Sequence, residues 1–93
     1  MLTDTEVLSC VEEICNWLER EPSDLAEGGR SAVLNLLRDI EPRIRERNLS
    51  SDFELTASIV KEIKPGSRPR QETLDRAYRA AYGMKISVGS GES

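Results

Sequence analysis

The chain has 93 residues, 38% of them apolar and 32% charged, and a net charge of −4 at neutral pH. That length suits a single domain around one core, and the absence of histidine removes the commonest general base, the commonest transition-metal ligand and the simplest pH switch. No apolar run approaches the ~20 residues needed to cross a bilayer, and Met1–Glu6 lacks the basic, hydrophobic opening of a signal peptide, so the composition points to a cytoplasmic protein with no membrane partner.

In chain order, Thr3 and Glu6 have the spacing of a capping box, in which each side chain satisfies a free backbone donor at a helix start. Val7, Val11, Ile14 and Leu18 follow at spacings of four, three and four, predicting an amphipathic helix over 4–20. Glu21-Pro22 ends it, because a residue before proline avoids helical geometry. Ser23–Glu27 reads as a single turn, Gly28-Gly29 as a break, and Ser31 as the cap of a second helix over 31–47. Val33, Leu34, Leu37, Ile40 and Ile44 carry its apolar face straight through Pro42. Proline there removes a backbone donor and presses on the carbonyl of Arg38, which predicts a kink rather than two helices.

Ser51 and Glu54 form a second capping-box pattern, followed by Phe53, Leu55, Ala57, Ile59, Val60 and Ile63 in a helix over 52–63. Lys64–Pro69 is a loop by composition, with Pro69 in the first turn of a helix over 70–82. Leu74, Ala77, Tyr78 and Ala81 face its inner side, and Gly83 stands where a C-terminal cap belongs. Beyond it, Met84, Ile86 and Val88 alternate with Lys85 and Ser87, the period of an extended strand that would pair with a twin or a partner sheet. The fold class expected is all-α: one four-helix domain over 1–88, with a short extended C-terminal segment and a flexible tail over 89–93. Its interior should hold Val7, Val11, Ile14, Leu18, Val33, Leu37, Ile40, Ile44, Phe53, Ile59, Val60, Ile63, Leu74 and Tyr78.

The residues offer little for catalysis. The close carboxylates Glu12/Glu13, Glu19/Glu21 and Glu72/Asp75 lie on predicted polar faces, whereas acid–base pairs need one member shifted by burial or a like charge. Cys10 and Cys15, five apart on one helix, would stand about 8–9 Å apart, beyond disulfide reach. Acidic neighbours would raise their thiol pKa values, and two thiols without histidine make no zinc site. Gly28-Gly29 has neither the preceding strand nor the following Gly-Lys of a phosphate loop. No enzyme activity, cofactor, metal or small-molecule substrate is expected.

Charge is distributed unevenly. Residues 1–60 hold 6 basic and 13 acidic side chains, a net of −7, while residues 61–88 hold 7 basic and 3 acidic, a net of +4. The expected function is therefore a non-enzymatic protein–protein interaction module, a small regulator, inhibitor or complex subunit working through charged helix faces. Glu12, Glu13 and Glu19 on the first helix, and Arg68, Arg70, Arg76 and Arg79 around the last, are its expected contacts with a protein partner or a second copy. The alternative is a nucleic-acid-binding regulator, acting as a dimer through the basic C-terminal helix. Residues 53–82 are a poor helix-turn-helix, since Lys64–Pro69 is longer than the usual turn and contains two prolines.

Overall fold

Thr3 starts the first helix in the reciprocal way its spacing predicts. Its backbone N–H donates to Glu6 Oε1 at 2.9 Å, and the Glu6 N–H donates to Thr3 Oγ1 at 3.2 Å. The computed structural model describes residues 2–20, 27–64 and 69–90. Among these are four helices and no strand: α1 Asp4–Arg20, α2 Glu27–Glu46, α3 Ser50–Glu62 and α4 Gln71–Ser90. Acidic Asp4 and Glu6 in the first turn of α1, and Arg20 in its last, complement the helix dipole.

The second helix begins earlier than expected. Gly28 and Gly29 lie in the first turn of α2, and Ser31 is inside it rather than capping it. Glycine costs a helix roughly 1 kcal/mol against alanine, and the burial of Val33, Leu37, Ile40 and Ile44 outweighs that cost. The helix continues as one element through Pro42. Pro42 and Arg38 are both exposed, so the carbonyl that the proline leaves without its helical donor lies on the outer side of the helix rather than in the core. The expected helix end at Glu21-Pro22 and most of the turn at Ser23–Glu27 lie outside the described residues.

Three residues join α2 to α3. Asn48 takes a left-handed φ of 64°, a conformation that asparagine tolerates better than most side chains. The Leu49 N–H then reaches the Ile44 carbonyl at 2.8 Å and the Asn48 N–H reaches that of Arg45 at 3.1 Å. These are the two bonds of a Schellman motif. Leu49 packs against the core and caps α3 with its carbonyl, which accepts from Phe53 N–H at 3.1 Å. The expected Ser51/Glu54 box is therefore not the start of α3: the chain turns from one helix into the next without a side-chain cap.

The fourth helix corrects the largest expectation. Arg70, not Pro69, leads into it, its carbonyl accepting from Leu74 N–H at 3.2 Å. It then runs through Gly83 to Ser90, so Met84–Val88 is helical and no strand is available to pair. The tail expected from Gly89 loses Gly89 and Ser90 to this helix, and residues 91–93 lie outside the described residues. Burial decides the matter: Leu74, Ala77, Ala81, Met84 and Val88 recur at three and four and are all buried, while Ile86 is 54% exposed. Gly83 is thus a helix-interior glycine. A methyl group there would meet the Asp52 carboxylate at 3.6 Å, an ordinary contact. Gly83→Ala should raise stability by about 0.5–1 kcal/mol, measurable as a higher urea midpoint, whereas at a left-handed cap it would lower it.

Neighbouring helices run antiparallel and close into a ring: α1 packs on α2 and α4, and α3 on α2 and α4. The direction is fixed by pairs such as Asp4 with Arg43 and Glu12 with Lys85. All of the expected interior is buried except Tyr78, which lies half-buried at the margin. The one buried polar side chain among the described residues, Thr56, donates its hydroxyl to the Asp52 carbonyl at 3.0 Å.

Asp4 ties the start of α1 to the end of α2. Arg43 donates to Asp4 Oδ1 from Nε at 2.9 Å and from Nη2 at 2.5 Å, and Arg47 donates to Oδ2. These hydrogen bonds, Arg43 first, hold the Asp4 carboxyl below its ordinary value of 3.8. Since the folded carboxyl is the stronger acid, its contribution to stability is present above that value and drains away as pH falls towards the depressed one. Asp4→Asn should be less stable at neutral pH, and its urea midpoint should fall less than the wild type's between pH 7 and about pH 3.

Candidate functional site

The charges singled out by the sequence separate into two groups on α4. On the side facing α1, Lys85 Nζ lies 3.4 Å from Glu12 Oε2, and the Tyr78 hydroxyl donates to Glu19 Oε2 at 3.3 Å. Between these ends Tyr78 and Tyr82 stack with ring centroids 6.1 Å apart and planes within 7°. Lys85 sits over the Tyr82 ring at 5.8 Å. The carboxylate of Glu19, followed by burial and its hydrogen bond, raises the Tyr78 phenol pKa. Two carboxylates expected to meet a partner are thus engaged by the protein's own last helix.

The basic residues stand elsewhere. Arg76 and Arg79 are exposed and make no ion pair among the described residues. At ~100° per residue they share one face, an arc of about 120°, with Tyr82 and Ile86. Tyr82 is 45% exposed. Arg76 to Ile86 spans about 15 Å of helix. Arg70 is exposed at the mouth of α4 and Glu13 is exposed on α1, neither joined to this face by any described contact. Arg68 lies outside the described residues. Ile86 lies beyond the helix expected over 70–82, so its place on this face follows only from the longer α4.

Cys10 is partly exposed and Cys15 buried, both free. Burial raises both thiol pKa values; Glu13, Asp39 and Glu6 add to the shift at Cys10, while at Cys15 Lys85 opposes it. Both therefore remain protonated at neutral pH, poor nucleophiles and poor ligands. Among the described residues no group of three acidic or thiol side chains could hold a metal ion, and no helix is long and apolar enough to cross a membrane.

A second surface feature lies between α2 and α3, a groove of about 500 Å³. Leu34, Leu37, Phe53 and Ala57 form its floor, with Arg38 and Lys61 on its rim. No family model, curated protein or solved structure matches this chain.

Proposed function

We propose that this protein is a non-catalytic interaction module that uses the solvent face of α4 to hold a protein partner with acidic and apolar side chains. The observation that carries this reading is the grouping of Arg76, Arg79, Tyr82 and Ile86 on one exposed arc of a well-anchored helix. Arginine and tyrosine are the side chains most enriched where binding energy concentrates, and Ile86 is the most exposed large apolar residue described. Neither guanidinium forms an ion pair among the described residues, so an acidic partner gains both charge pairing and apolar contact.

The nucleic-acid alternative draws on the same arginines. The acidic balance of the chain adds repulsion from phosphates.

Arg76→Ala/Arg79→Ala and Ile86→Ala should each weaken capture of the native-host partner about tenfold or more. Glu13→Ala, on a different helix, should leave it unchanged. Partner retention by both α4 variants would overturn the assignment. Binding of short DNA or RNA at low salt that disappears in the double arginine variant would replace it with the alternative.

A further inference from the structure

We infer that the α2–α3 groove is a second docking site, and that its occupant is an amphipathic helical segment of another protein with an apolar stripe flanked by acidic residues. This surface is separate from the α4 face, so either assignment can fail without the other.

The floor sets the first requirement. Leu37 and Phe53 are buried below the groove, and Leu34 and Ala57 are partly covered, offering an apolar trough between two antiparallel helices. Ser31 and Glu41 mark its two ends on α2. Ten residues of helix make it about 15 Å long, matching some three turns of a docked helix.

The rim sets the second. Glu41 accepts from Arg45 Nε at 3.0 Å and Nη2 at 2.6 Å, so its charge is matched. Arg38 donates to the neutral Asn35 at 2.5 Å, and Lys61 has no ion pair among the described residues. The lining is therefore left with two cations that no carboxylate neutralises, and the complementary occupant carries acidic side chains.

The walls set the third. Both are helices, whose backbone donors and acceptors are spent internally, save the Arg38 carbonyl that Pro42 deprives of its helical donor. An extended peptide would find no ladder of partners there and would leave its own backbone unsatisfied. A helix bonds its own backbone and presents apolar residues at i, i+3, i+4 and i+7. The outer faces of α1 and α4 do not supply such a stripe: the exposed residues of α1 are polar, and the α4 face would bring arginines against the cationic rim.

The test uses the full chain and two synthetic peptides of about four helical turns. Both carry the same leucine stripe, flanked by glutamate in one and by lysine in the other. Fluorescence anisotropy should show the glutamate peptide binding at least about tenfold more tightly. Amide chemical-shift changes should centre on residues 31–41 and 53–61, and the peptide should gain helical circular dichroism on binding. Arg38→Glu/Lys61→Glu, both at exposed positions, should reverse the preference between the peptides. Arg76→Ala/Arg79→Ala should leave the binding untouched. Equal affinity for both peptides, no binding of either, a peptide bound without helix formation, or shifts centred on α4 would each overturn the inference.

Discussion

Leu37→Ala and Ile14→Ala each lower the unfolding free energy by about 2–5 kcal/mol, read from urea denaturation followed by circular dichroism. Ile14 is fully buried and Leu37 is 1% exposed, so either substitution removes methyl groups from a packed interior and leaves a cavity. Small domains have only about 5–15 kcal/mol of net stability, so either variant loses a large share of it. The two residues sit on different helices and belong to the same core cluster. Wild-type denaturation of both variants would mean that α1 and α2 present other faces to the interior.

Met84→Ala produces a loss of comparable size, about 2–5 kcal/mol, while Ile86→Ala stays within about 0.5 kcal/mol of the wild type. The contrast follows from helical geometry. Met84 is fully buried and Val88 is 2% exposed, four residues apart on the core face, with Ile86 turned to solvent between them. In an extended chain Met84, Ile86 and Val88 would share one side, and truncating Ile86 would cost as much as truncating Met84. Paired denaturation curves therefore separate the two geometries, and equal losses would contradict the helix.

Those three residues also show why part of the fold was legible in the sequence and part was not. Over five residues, apolar side chains at 84, 86 and 88 satisfy a strand period and leave two of three on a helix face. Only the longer register from Leu74 through Ala77 and Ala81 separates the readings, and Gly83 obscured it by standing where a cap would. The stripe of α1 had no such interruption, and its capping box and bounds were readable directly. At the α2–α3 turn the decisive signal was Asn48, a residue suited to the left-handed position that ends a helix. The serines after it resemble caps but are not used as one. The interaction face was half legible. Arg76 and Arg79 stand out by charge, but the place of Ile86 beside them depends on how far α4 extends. That Glu12 and Glu19 serve the α1–α4 seam follows from tertiary packing, which local pattern does not encode.

The ring of helix contacts has a kinetic consequence. Three of the four interfaces join helices consecutive along the chain, and only α1 against α4 must bring distant segments together. A topology so rich in local contacts folds on a timescale of about microseconds to milliseconds. The long-range seam carries the largest loop-closure entropy. Collapse can thus begin at the tightly turned α2–α3 hairpin around Asn48, with the first and last helices closing the barrel of side chains as the late, rate-sensitive event.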